Sequence, residues 1–218
     1  MAEATNWTGL YIGAFGGATQ GTADWGYVGG SVSPHIGGYI YGGDVGYNYQ
    51  IDRWVLGVEA ALEATNTNGG IACGPLNTAV AGITVVLPPM FQMTCNAWTH
   101  WLATATARVG YTWDRALFYV KGGGAWADEH FSASCNFTGG FGCTNPAALS
   151  SNGLTASTNR SGWVLGFGTE FALTRNWSAK AETDYVSFGD SNVTASDGSP
   201  LKLGMHFWEE KIGVNYRF

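Results

Sequence analysis

Few residues in this chain carry obvious chemistry. Glu182 and Asp184 stand two apart, so a strand would put both on one face. Paired carboxylates of that kind can act in general acid–base catalysis. Lys180 shares their parity, and with Lys211 it favours an ion-pair network over catalysis, because buried charges must be paired. His35, His100, His130 and His206 lie in or near long segments without regular alternation, with no clear Ser or Asp partner at a shared strand end. Nucleophilic catalysis needs such a partner. If these four histidines converged at one rim they would be candidate haem ligands; otherwise they are surface residues.

Cys73, Cys95, Cys135 and Cys143 form no C-x-x-C motif, and no histidine stands at zinc-ligand spacing. Disulfides are expected instead, in an oxidising compartment. Cys73 with Cys95 and Cys135 with Cys143 are the sequence-local pairs, but all three pairings stay open. The run Gly122–Gly124 precedes neither a Gly-Lys-Ser/Thr signature nor a helix pattern, so it is no phosphate cradle. No catalytic residue, cofactor or metal site is expected.

The elements that position these residues are legible from composition and alternation. The chain has 218 residues, 33 of them Gly, with 14% aromatic and 12% charged residues and a net charge of −6. So much Gly excludes a helix bundle. The aromatic content excludes disorder, and the negative charge argues against a nucleic-acid partner. No apolar run is long enough for a membrane helix. Met1–Thr5 reads as a mature start with an added methionine, any export signal having been removed.

Strict period-two alternation marks strands. In Arg53–Thr65, Trp54, Leu56, Val58 and Leu62 alternate with Glu59 and Glu63. Similar patterns cover Ile36–Gln50, Trp101–Trp113, Leu117–Trp126, Gly162–Leu173, Trp177–Val186 and the C-terminus, with a more ambiguous first strand around Leu10–Phe15. These eight segments are joined alternately by short turns and by long loops at about 20–35, 66–96, 129–160 and 188–205. Such alternation predicts an all-β fold: a single domain over residues 1–218 forming an eight-stranded antiparallel up-and-down transmembrane β-barrel with long extracellular loops.

A soluble barrel would reverse the faces and hold a ligand in an apolar interior. Two patterns oppose that. Glu59, Glu63, Arg108, Lys121, Glu170, Lys180, Glu182, Asp184, Glu209, Lys211 and Arg217 share the polar parity and suit an interior charge network. Tyr47, Tyr49, Trp54, Tyr111, Trp113, Phe118, Phe171, Trp177, Tyr216 and Phe218 gather beside the short turns on the apolar parity. Together they make an interfacial aromatic girdle. Inward glycines such as Gly46, Gly57 and Gly166 leave room for the large charged side chains. Filled by those side chains, the lumen leaves little room for a pore.

The segments Trp7–Gly13, Gly37–Gln50, Arg108–Tyr111, Trp177–Lys180 with Glu182 and Tyr185, and Ile212–Phe218 resemble the small outer-membrane β-barrel proteins of alpha-proteobacteria, the outer-membrane immunogenic or porin-family type. The resemblance spans nearly all strands and leaves the loops uncovered. It implies an outer-membrane location, contact with outer-membrane lipid and lipopolysaccharide, and no enzymatic activity. Haemin binding, adhesion and envelope integrity are attributed to some members. Phe218, with Tyr216, Val214 and Ile212, resembles the signal read by the barrel-assembly machinery. With the sequence ending on this strand, no peptidoglycan-binding domain like that of larger relatives is expected.

The segment 66–96 stands out, because no Asp, Glu, Lys or Arg occurs between Ala64 and Ala107. Leu76, Ile83, Val85, Val86, Leu87, Met90 and Phe91 form a candidate patch for self-association or an envelope-protein partner. A hairpin that extends the barrel and packs on the neighbouring segment 129–160 accounts for the same residues.

Overall fold

The computed structural model describes residues 5–27, 30–75, 77–80, 83–86, 92–135, 154–194 and 200–218. The strands are β1 (Gly9–Tyr27), β2 (Gly30–Val32), β3 (His35–Ile51), β4 (Trp54–Thr65), β5 (Asn68–Pro75), β6 (Asn77–Val80), β7 (Ile83–Val86), β8 (Gln92–Trp98), β9 (Trp101–Trp113), β10 (Ala116–Cys135), β11 (Leu154–Ala172), β12 (Trp177–Thr194) and β13 (Pro200–Arg217). Eight of them close an antiparallel barrel in the order β1, β3, β4, β9, β10, β11, β12, β13, with β13 returning to β1. Closure leaves the barrel proper without a free sheet edge. The tight turns Asp52–Arg53 and Asp114–Arg115 begin with Asp in the left-handed region, φ 53° and 55°, which Asp tolerates better than most residues.

All ten girdle aromatics face outward at the short-turn end. Neighbours on adjacent strands meet edge to face, Trp54 with Tyr111 at 5.4 Å and Trp177 with Tyr216 at 5.1 Å between ring centres. Sequence reading missed a second ring, made by Tyr39, Tyr41, Trp101, Trp126, Trp163, Tyr185 and Trp208. The two rings lie eight residues apart on β3 (Tyr41, Tyr49), β10 (Trp126, Phe118), β11 (Trp163, Phe171), β12 (Tyr185, Trp177) and β13 (Trp208, Tyr216). Eight residues rise about 27 Å along a strand, which a tilt of about 40° reduces to about 21 Å, a little under the apolar belt about 25 Å tall of such barrels. Exposed Val120, Leu165, Phe167 and Ile212 fill the belt. Glu210 interrupts it, its carboxylate accepting the Thr183 hydroxyl at 2.7 Å.

Three of the four long loops contract sharply, because the strands run on beyond the second ring. β1 reaches Tyr27, β10 reaches Cys135, β11 starts at Leu154, and β12 and β13 reach Thr194 and Pro200. The fourth, 66–96, is largely strand. After a break at Asn66–Thr67, β5 continues the line of β4; β8 leads into β9 across a break at Thr99–His100. β5 pairs with β8, and β8 with β10 along His130–Cys135. This is the barrel-extending hairpin, with the β6–β7 ribbon between its arms.

The lumen is filled in layers. At the short-turn end Trp7, Val55, Leu117, Tyr119 and Ala172 form an apolar plug. The charged layer follows. Above it, Trp25, Ile36, Phe131, Phe188, Leu203, Met205 and Phe207 pack into a second apolar core. Most of these upper residues were expected in loops; the strands instead continue, and because no lipid surrounds the wall there they bury their apolar residues inward.

Candidate functional site

Among the described residues, polar chemistry concentrates in the charged layer of the lumen and in a histidine cluster on the outer wall. In the lumen, Lys211 Nζ lies 2.8 Å from both Asp184 Oδ2 and Glu209 Oε2, and 3.5 Å from Glu63 Oε1. Lys121 bonds Glu182 and sits 3.0 Å from Asp184 and 3.5 Å from Glu59. Lys180 reaches Asp44 at 2.6 Å. The Arg108 guanidinium lies 3.5 Å from Glu59 and 3.8 Å from Glu170, sandwiched between the rings of Tyr11 and Tyr119 at 4.6 and 5.0 Å. Both tyrosine hydroxyls donate to carboxylates, Tyr11 to Glu59 and Tyr119 to Glu182.

Glycine makes this packing fit. A Cβ on Gly46 would run into the Tyr11 phenol, and one on Gly166 into the Asp184 carboxylate. Of the expected network, Arg217 stands apart. Its guanidinium lies 4.9 Å over the Trp7 ring at the short-turn end and donates to the Arg175 carbonyl. Asp44 takes a place in the layer that the sequence reading had not given it. Higher up, Arg160, expected at the end of a loop, is a buried strand residue pairing with fully buried Glu129 at 2.7 Å. Burial pushes the Glu129 carboxyl above its usual range, and Arg160 opposes that shift.

The four histidines do not converge. All are exposed or half-buried above the second ring, in two groups. His35 and His206 flank Thr22 in register, and His206 Nε2 shares a 2.8 Å hydrogen bond with the Thr22 hydroxyl. His100 and His130 meet on the β9–β10 side, ring centres 4.9 Å apart. Between them stands Asp128, two residues beyond Trp126 on the same outward face and therefore outside the belt. Its Oδ2 is 3.2 Å from His100 Nδ1 and 3.1 Å from His130 Nε2. Its Oδ1 accepts the backbone N–H of His100 at 3.1 Å and of Trp101 at 3.0 Å. Partial burial opposes the Asp128 charge, but these four bonds outweigh it and hold the carboxyl below its usual range. Trp98 stacks on the His130 ring, nearly parallel at 5.6 Å.

This cluster was missed because its members come from one strand, β10, and from the break at Thr99–His100, far apart in sequence. The only local signal was Asp128-x-His130, two potential ligands on one strand face. Cys95 is buried and is not a free thiol. In register, Cys73 and Cys135 both stand opposite Met93, two residues from Cys95. Cys143 lies outside the described residues, as do Leu76, Leu87, Met90 and Phe91; for Ile83, Val85 and Val86 on β7 only the backbone pairing is described.

A closed eight-stranded barrel, belted by apolar residues between two aromatic rings and packed with ion pairs inside, defines an integral outer-membrane barrel protein. The family described as outer membrane protein beta-barrel domain matches residues 1–218, and the chain belongs to it. The 31 kDa outer-membrane immunogenic protein of Brucella melitensis is 29% identical over 225 residues, covering 98% of this chain and 84% of that protein. Among solved structures, outer membrane protein OprG from Pseudomonas aeruginosa has a TM-score of 0.52 at 12% identity, with 98% of each chain covered. Outer membrane protease OmpT from Escherichia coli has a TM-score of 0.53 at 7% identity, with 99% of each covered. Identities this low carry the fold alone.

Proposed function

We propose that this outer-membrane protein acts through its surface, as a structural and interaction protein that displays a strand-built tower above the membrane. One observation carries the reading: the lumen is filled at three levels, so only the outer wall and the tip are left to meet a partner. Outer-membrane barrels keep short turns in the periplasm and long connections outside, which puts β5–β8 and the β6–β7 ribbon on the cell exterior. The partner is a second copy of the chain or another envelope protein, met by the apolar segment between Cys73 and Cys95. We infer that a disulfide at Cys95 braces this segment, its partner being Cys73 or Cys135, each diagonal to it on a paired strand. Replacing residues 77–86 by a two-residue turn tests the reading. A smaller complex in native detergent is expected; an unchanged size together with unchanged binding to bacterial surfaces would overturn it.

A second reading, haemin capture at the rim, now rests on His100 and His130, whose rings are adjacent. Titrating haemin against the protein and its His100→Ala/His130→Ala variant tests it. A Soret shift present in the first and lost in the second supports it, and no shift excludes it.

A further inference from the structure

We propose that His100, Asp128 and His130 form a binding site for a divalent transition-metal ion on the outer wall of the barrel, just above the upper aromatic ring. The ligand atoms would be His100 Nδ1, Asp128 Oδ2 and His130 Nε2, all within 4.8 Å of one another. Two imidazoles and one carboxylate suit zinc, copper or nickel, and oxygen-only ions such as magnesium far less. Zinc bonds His nitrogen and carboxylate oxygen at about 2.0–2.2 Å, which sets neighbouring tetrahedral ligands about 3.3 Å apart. The two separations to Asp128, 3.2 and 3.1 Å, already have that length. The third edge closes by a swing of His100, the most exposed of the three at 61% of its side chain.

The surroundings are those of a prepared site. The backbone N–H groups of His100 and Trp101 occupy Asp128 Oδ1, which leaves Oδ2 aimed at the imidazoles. Outer-shell bonds of this kind orient metal ligands and raise their affinity. Trp98 fixes the plane of the His130 ring. The break in the strand frees the His100 amide to make its bond: the His100 carbonyl still accepts Thr65 N–H at 2.8 Å, but its N–H turns to Asp128 instead of the neighbouring strand. Three protein ligands leave a fourth position open, facing away from the wall at the level where lipid head groups begin.

The full-length protein, without a polyhistidine tag and in detergent micelles, is titrated with Zn2+ against a chromophoric chelator. One equivalent should bind. His130→Gln and His100→Gln should each weaken it at least ~10-fold, comparable to losses from outer-shell changes alone, while His206→Gln should leave it unchanged. Ni2+ should quench part of the tryptophan fluorescence, and Trp98→Phe should remove that part while Zn2+ binding persists. Heat-modifiable migration on gels confirms that each variant is folded. Absence of Zn2+ binding, or binding equal in wild type and a folded His100→Gln/His130→Gln variant, would overturn the proposal.

Discussion

Lys211→Met is the most searching test of the dry, charged lumen. The Lys211 ammonium lies within 4.0 Å of four carboxylates, two of them at 2.8 Å, and its side chain is 2% exposed. At an effective dielectric of about 20, each 2.8 Å contact is worth about 6 kcal/mol of gross attraction. Most of that offsets the desolvation of the charges. Removing the cation while the anions stay buried typically costs about 3–5 kcal/mol. Asp184 would keep Lys121 at 3.0 Å, but Glu63 and Glu209 would lose their lysine. We therefore expect Lys211→Met to lower stability by about 3–5 kcal/mol, read as a shifted urea midpoint in lipid vesicles. Adding Glu209→Gln should recover part of the loss, because one stranded charge is removed. Lys202→Met is the control: Lys202 pairs with Asp190 at 2.8 Å in the open, and no measurable change is expected. A loss below about 1 kcal/mol for Lys211→Met, the range of solvated pairs, would refute the reasoning and mean that water reaches the layer.

Arg160→Met should destabilise the tower by about 3 kcal/mol, since fully buried Glu129 loses its partner; the same urea titration reads it, and the double change with Glu129→Gln should restore most of the loss. Phe167→Arg, in the middle of the belt, should cost about 2–4 kcal/mol in vesicles; a neutral outcome there would contradict lipid contact at that position. Planar bilayers holding the protein should show no conductance steps, because apolar plugs close the lumen on both sides of the charged layer.

The barrel was legible because one rule governs every strand between the two rings: apolar side chains meet lipid and polar ones meet the lumen. Trp54, Leu56 and Val58 against Glu59 and Glu63 show it plainly. Above the second ring the environment outside changes from lipid to water, and the rule inverts without any change of backbone. On β13 the inward positions are Leu203, Met205 and Phe207, then Glu209 and Lys211. At Phe207–Trp208 an inward aromatic abuts an outward one, so alternation dissolves and the strand seems to end. The same inversion hid Trp25 on β1 and Phe131 on β10. The histidine cluster was illegible for another reason. Its geometry depends on a broken strand and a cross-strand register, and neither leaves a periodic mark.

The charge pairs of the lumen bear on how the protein is assembled. Lys180 on β12 meets Asp44 on β3, Lys211 on β13 meets Glu63 on β4, and Lys121 on β10 meets Glu59 on β4. None of these partners sits on a neighbouring strand. A hairpin holds only one member of each pair, and an open sheet has nowhere dry to put either. The pairs therefore act as latches that engage together when the last strand docks on the first. A chain that stalls short of closure keeps its charges hydrated and cannot seal against lipid, so insertion and completion become a single event.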